Sequence, residues 1–227
     1  MSFKAKIFLR TSIHKPISNP KLFKKQLLIW SQQFREVIFM DSNDYPQQHS
    51  SFDCVVAVDA FTSIKTDYHN AFEDLKQYQQ ITKDWLFGYL SYDLKNDIED
   101  LQSNNFDGLY FPDLFFFQPK KIFLLRGNEV EIQYLTMCDD ELSVDFDEIN
   151  LQTTDVELRT TAVEVKQRIS KQKYLKKISK MLTHINQGNL YEANFCMEFY
   201  AENTIINPLD KFLKLNEISQ PPFAVFF

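Results

Sequence analysis

"KKIFLLRGNEVEIQYL", Lys120–Leu135, is the stretch on which the fold turns. Val130, Ile132 and Tyr134 alternate with Glu129, Glu131 and Gln133. That period of two is a strand with one dry and one wet face, the habit of antiparallel sheets. Gly127-Asn128 supplies the turn back to the apolar run before it. The chain therefore contains a β-hairpin, and its neighbours are read against it.

Several further segments read as strands. They are "KAKIFLR" (Lys4–Arg10), "EVIFM" (Glu36–Met40) and "DCVVAVDAF" (Asp53–Phe61), the last two rich in β-branched residues. "DSNDYPQQHSS" (Asp41–Ser51) is a polar loop. "DWLFGYLSYDL" (Asp84–Leu94) reads as an aromatic strand, with Gly88 marking the close approach of another backbone or a large side chain. Helices intervene. Asn19-Pro20 is an N-cap followed by a first-turn proline, and Phe23, Leu27, Trp30 and Phe34 then recur at helical spacing. A second helix is expected around His69–Gln80.

Cys138–Asp155 is acidic and packs few apolar residues at any regular period, so together with the Thr-rich stretch after it this segment reads as a linker or excursion between two units. Lys171–Gln187 then reads as a helix with Tyr174, Ile178, Met181 and Ile185 on one face, closed by Gly188 as its C-terminal cap. A strand is expected from Tyr191 to Phe199, with Tyr191, Ala193, Phe195, Met197 and Phe199 facing inward. Glu192, Asn194, Cys196 and Glu198 fall on its other face. Asn207-Pro208 opens a last helix, and "QPPFAVFF" (Gln220–Phe227) reads as a final strand. The fold class is α+β, antiparallel sheets packed with helices.

Composition sets limits. The 227 residues are 44% hydrophobic and 15% aromatic, enough for a sizeable core in one large or two small domains. A net charge of −6 argues against nucleic-acid binding. Cys54, Cys138 and Cys196 form no CxxC pair, which fits a reduced compartment. No signal-peptide pattern and no apolar run of membrane-spanning length stand out, so a cytoplasmic protein without a membrane partner is expected.

The chemistry-bearing motifs are mostly missing. Four glycines form neither GxGxxG nor GxxxxGK, and there is no GxSxG. The four histidines are scattered, so no metal site is expected. The lysines of the 166–180 region read as the solvated face of a helix. Glu192 and Asn194 line either a pocket or water. Glu192 and Glu198 lie roughly 20 Å apart along a strand, too far for an acid–base couple. Asp41-Ser42 at a strand end reads as turn chemistry. No base is visible for Cys196. No catalytic residues are assigned from the residues themselves.

A resemblance adds to this reading. "INQGNLYEANFCMEF" is similar to the opening motif of the chorismate-utilising enzymes, G-[DE]-x-[YF]-Q-x-[NV], standing here as Gly188-Asn189-Leu190-Tyr191-Glu192-Ala193-Asn194. "PPFAVFF" looks like that family's P-x-P-[FY] strand. "DWLFGYLSYDL" looks like its G-x-x-G-Y-x-x-Y-[DE] segment, matching at Gly88, Tyr89, Tyr92 and Asp93. Order and spacing agree. Within the family the nearest branch is component I of aminodeoxychorismate synthase (para-aminobenzoate synthase), whose S-R-F-D-I-V-V-A resembles "SSFDCVVA" with Ser51 in place of arginine. Anthranilate synthase component I is the sister possibility. A non-catalytic module that binds an aromatic ligand or a partner is the alternative of another class.

What the resemblance implies is specific. The fold would be the family's sandwich, incomplete in this chain. Residues 1–160 would be an N-terminal α+β domain and 161–227 the beginning of the chorismate-binding domain. The activity would be that of a transferase in folate biosynthesis, replacing the 4-hydroxyl of chorismate with an amine. Ammonia would come from a glutamine amidotransferase subunit (component II). The cofactor would be Mg2+, bound in a C-terminal half. The family's P-I-K-G-T lysine, magnesium-binding glutamates and carboxylate-binding arginine follow its P-x-P-[FY] strand, and none of those motifs occurs in these residues. The chain alone would then be inactive. The family's L-L-E-S motif matches Phe39-Met40-Asp41-Ser42. By that match Ser42, Ser50, Phe52, Pro222 and Phe223 would form an effector pocket for tryptophan.

Overall fold

The computed structural model describes residues 10–46, 51–102, 105–154 and 163–227. The chain divides into two compact units, Met1–Val156 with Phe212–Phe227, and Glu157–Lys211. The architecture is α+β.

The first unit is built on one antiparallel sheet. Its strands are β1 (Arg10–Pro16), β2 (Val37–Asp41), β3 (Cys54–Thr66), β4 (Phe87–Leu90), β5 (Leu114–Arg126), β6 (Glu129–Leu135) and, from the second pass of the chain, Ala224–Phe226. The order is β1-β6-β5-β3-β2 followed by Ala224–Phe226, with β4 also on β5. The hairpin reading of Lys120–Leu135 holds: Arg126 pairs with Glu129, and Gly127 takes φ +55°, a region open to glycine. Of the strand expected at Lys4–Arg10, residues 4–9 lie outside the described residues, and β1 runs onward from Arg10.

Helices cover one face of the sheet, and the other carries its own apolar cluster with a helix only at its far end. Helix α1 (Pro20–Ser31) starts where its cap signals said, with Asn19 Oδ1 accepting from the Leu22 N–H. It buries Phe23, Leu27 and Trp30, and Trp30 meets Phe123 of β5 edge-on at 5.5 Å. The opposite face collects Ile38, Ala57, Phe87, Phe115, Phe117, Ile122 and Leu124. At its far end helix α2 (Ala71–Thr82) closes a smaller cluster of Ala71, Leu94 and Leu114.

Three expectations need correction. The acidic stretch is not a linker. It forms a short 3-10 turn and helix α3 (Leu142–Leu151), which lies against α1, with Phe23 and Phe146 rings 5.9 Å apart. The positions it buries are Leu142, Asp145 and Ile149. A carboxylate on the buried stripe hides the apolar period. Asp145 is tolerated there because the Lys121 ammonium sits 2.5 Å from it and the Tyr134 hydroxyl donates to it at 2.7 Å. Second, the aromatic strand is only β4, and Tyr92–Asp97 is a 3-10 helix. Gly88 has the close neighbour its position implied: a Cβ there would collide with the Phe115 carbonyl of β5.

The third correction falls in the second unit. A two-stranded ladder pairs β7 (Lys166–Gln167) with β8 (Phe199–Tyr200). Between them lies helix α4 (Lys171–Asn186). Gly188 at φ +75° ends it, with its N–H donating to Ile185 and that of Asn189 to His184, the double bond of a Schellman cap. Tyr191–Glu198 is not a strand. It alternates like one, but among the described residues no ladder partner reaches it, and unpaired backbone stays solvated instead of extending as a sheet. Helix α5 (Pro208–Ser219) follows the Asn207-Pro208 signal and leads into β9 (Ala224–Phe226), which returns to the first unit's sheet.

Candidate functional site

The site grows from the edge where β9 meets β2. The ladder pairs Phe39 with Phe226, Met40 with Val225 and Asp41 with Ala224. Alternation sorts these side chains. Phe39, Asp41 and Phe226 take the helix-covered face, where Phe212 of α5 meets both rings, at 6.1 and 5.4 Å. Met40 and Val225 take the other face, and the next register position is that of Ser42 and Phe223.

Four of the five residues expected to form an effector pocket thus come to one end of three strands. Ser42 donates its backbone N–H to the Asp53 carbonyl, next to Phe52. Phe52 packs on the open-face cluster, with the Arg126 guanidinium 5.2 Å from its ring centroid. Pro222 is half-buried and Phe223 is 78% exposed. Ser50 lies outside the described residues.

The open face is walled by rings the sequence reading did not place. Tyr89 and Phe115 each stand edge-on to Phe227 at 5.2 Å. The Lys65 ammonium lies 4.1 Å above Phe115. The β3–β5 register shifts between Ala60 and Thr62, beside Asp59 at φ +60°. Tyr89 of β4 is the register partner of Phe115 of β5, so the two rings are presented to Phe227 together. Burial and the charge of Asp113 push the Tyr89 phenol above its ordinary value, so it is a hydroxyl donor at neutral pH.

Beneath the site the loop after β2 is pinned from two sides. Asp41 accepts from the Asn43 N–H, an Asx turn, and Asn43 and Asp44 follow with φ of 52° and 57°, which Asn and Asp tolerate best among non-glycine residues. Lys24 of α1 reaches Asp41 at 2.8 Å and Asp44 at 3.2 Å. Burial opposes the Lys24 charge, but the hydrogen bonds and charges of these carboxylates outweigh it and hold its pKa above the ordinary value. On the other side Asn43 and Asn216 exchange amide hydrogen bonds at 2.9 Å each. Asn43 also donates to the Pro221 carbonyl at 2.7 Å, 178 residues along the chain.

Lys24 and Asn43 were missed in the sequence. Lys24 had a signal: with Leu28 and Ser31 it forms a second buried row on α1. Asn43 had none, because its partners come from the far end of the chain.

The other groups considered do not join this site. Cys196 is exposed, as are Glu192 and Asn194. Glu198 forms a two-point pair with Arg168 at 2.7 and 2.9 Å. Among the described residues, no three His, Cys, Asp or Glu side chains are grouped to hold a metal ion. No helix among them is long and apolar enough to cross a membrane. Aromatic rings and a serine share this end of the sheet, and its described residues contain no nucleophile–base pair.

Comparison with known proteins gives one family. The family described as chorismate binding enzyme matches residues 29–227. No curated protein matches the chain.

Proposed function

The chain belongs to the family of chorismate-binding enzymes, and from that premise we propose that it is the N-terminal portion of component I of aminodeoxychorismate synthase. The enzyme exchanges the 4-hydroxyl of chorismate for an amino group, with water leaving as ammonia enters. Ammonia is delivered by a glutamine amidotransferase subunit. Supporting the branch is "SSFDCVVA", which enters β3 beside Ser42.

The observation that carries the reading is the β2–β9 ladder. It brings the family's L-L-E-S-like segment, Phe39–Ser42, against its P-x-P-[FY] strand. In this reading the described residues are scaffold and effector site. The sheet forms one layer of the family's sandwich. Ser42, Phe52, Pro222 and Phe223, with Ser50, take tryptophan, whose indole fits between aromatic and apolar walls. Proton transfer and magnesium chemistry are left to motifs that these 227 residues do not contain.

The test is product analysis. The complete protein, with chorismate, magnesium and ammonia, is expected to form 4-amino-4-deoxychorismate. Pyruvate with anthranilate would instead assign the sister synthase. Neither product would leave the aromatic-binding module as the reading.

A further inference from the structure

Arg126 closes β5 at the same corner of the open face as Ser42 and Phe52. Ile122 and Leu124 belong to that face's apolar cluster, and Arg126, two residues on, follows them by alternation. Leu125, Cys54, Asp41 and Ala224 are register partners across β5, β3, β2 and β9. The next row toward the edge carries Arg126, Ser42 and Phe223. Its ends lie three strand spacings apart, roughly 14 Å. That span, less the reach of the arginine side chain, suits one aromatic amino acid lying across the strands. Its carboxylate would face β5 and its ring β9.

The guanidinium is fixed but only partly used. Its Nε donates to the Ser51 carbonyl at 2.8 Å, and its central carbon lies 5.2 Å from the centroid of Phe52. Among the described residues, its two terminal nitrogens have no hydrogen-bond or ion-pair partner. The carboxylates around it are held by other groups. Glu129, its partner across the hairpin, lies 2.8 Å from the His14 ring nitrogen. Glu131 accepts from Ser12 at 2.9 Å and from Gln133 at 2.7 Å. Asp53 accepts from the Gly127 N–H at 2.6 Å.

A guanidinium offers its N–H groups in a planar fork that matches a carboxylate. Holding Nε in advance lowers the ordering cost of using the other two nitrogens. We infer that Arg126 is the carboxylate anchor of this end of the sheet, so that the site selects aromatic acids over neutral aromatic molecules. The inference rests on the reading of this end as an aromatic effector site, and adds to it the group that sets ligand class.

The test is isothermal titration of the complete protein with three ligands. Tryptophan and indole-3-propionate carry a carboxylate. Tryptophanamide keeps the ring and the amine but lacks it. Arg126→Gln, which removes the charge, is expected to weaken both carboxylates about fivefold or more. Arg126→Lys, which keeps the charge without the fork, should retain part of that affinity. Tryptophanamide should bind the unmutated protein about as weakly as tryptophan binds Arg126→Gln, and should be indifferent to the substitution. Tryptophan affinity unchanged in Arg126→Gln would overturn the inference, as would tryptophanamide binding as tightly as tryptophan. An equal loss for tryptophanamide would show that Arg126 only props Phe52, and would overturn it too. If the unmutated protein bound neither carboxylate, the effector reading itself would fall, and the anchor with it.

Discussion

Helices α1 and α4 begin alike and end up differently. Each opens on a polar cap whose side chain accepts a backbone N–H, Asn19 for one and Ser170 for the other. Each carries apolar residues at helical spacing. Yet α1 buries Phe23, Leu27, Leu28 and Trp30, while no residue of α4 is buried. Periodicity tells a chain where to make a helix. It does not supply the surface that the helix will cover, and burial is what converts an amphipathic stripe into stability. The first unit's sheet supplies that surface for α1. In the second unit, α4 meets the irregular segment between Tyr191 and Glu198, where Phe195 lies 5.2 Å from Tyr174.

The contrast can be broken by mutation, and the core of the first unit should give the largest effect. Phe123→Ala removes a fully buried ring between Trp30 and Tyr134, and is expected to cost about 3–5 kcal/mol in denaturant unfolding. Ile178→Ala on α4 should cost less than about 1 kcal/mol by the same measurement, since little area is lost to water. Equal costs at the two positions would erase the distinction.

Lys24→Met comes next. It strands Asp41, a carboxylate whose side chain is 10% exposed, and is expected to destabilise by about 3 kcal/mol. Asp41→Asn in the same background should recover part of that loss, because the remaining partner is then neutral. No recovery would mean that Lys24 acts through packing alone.

The ion pairs also fix how stability responds to pH. Burial works against the Asp84 charge, but the Arg10 guanidinium and the Gln118 amide outweigh it and hold its carboxyl below the ordinary value of 3.8. Asp44 is lowered in the same sense by Lys24 and Lys21. A carboxylate depressed on folding adds stability that is present above 3.8 and is lost as pH falls through the lower folded value. Lys24 is raised above 10.5, so its contribution is present below 10.5 and disappears as pH rises beyond its raised value. Unfolding free energy should therefore be flat near neutrality and fall at both extremes. A rise in stability on acidification below 3.8 would contradict the pairing.

Gly188→Ala has the most local effect. At φ +75° an added Cβ costs about 1 kcal/mol. Because the cap closes α4, the loss should appear as faster hydrogen exchange at that helix's C-terminal end, with the exchange of β3 and β5 unchanged.

The same residues show how far the sequence could be read. The hairpin at Gly127-Asn128, the caps at Asn19 and Asn207, and the glycine stop at Gly188 were legible because each is set by neighbours in the chain. Asp145 concealed α3, since its compensation by Lys121 and Tyr134 is a long-range fact. Tyr191–Phe199 misled for the converse reason. Its alternation is that of a strand, but a strand exists only with a partner. At the site, Ser42, Phe52 and Phe223 were named through resemblance, and their common location follows from the β2–β9 ladder. Tyr89 was named only in a motif match, and Phe115 and Phe227 were not named as site residues, because Tyr89 and Phe115 meet through the β4–β5 ladder and Phe227 reaches them from the far end of the chain.

The proposed seat for tryptophan at the β2–β9 edge can be tested directly. Isothermal titration of tryptophan into the complete protein tests it most directly, paired with Ser42→Ala and Phe223→Ser. Saturable heat is expected, weakening severalfold or more in each variant, with Tm rising only in the unmutated protein. An absence of heat and of any Tm shift, or binding untouched by both substitutions, would contradict it.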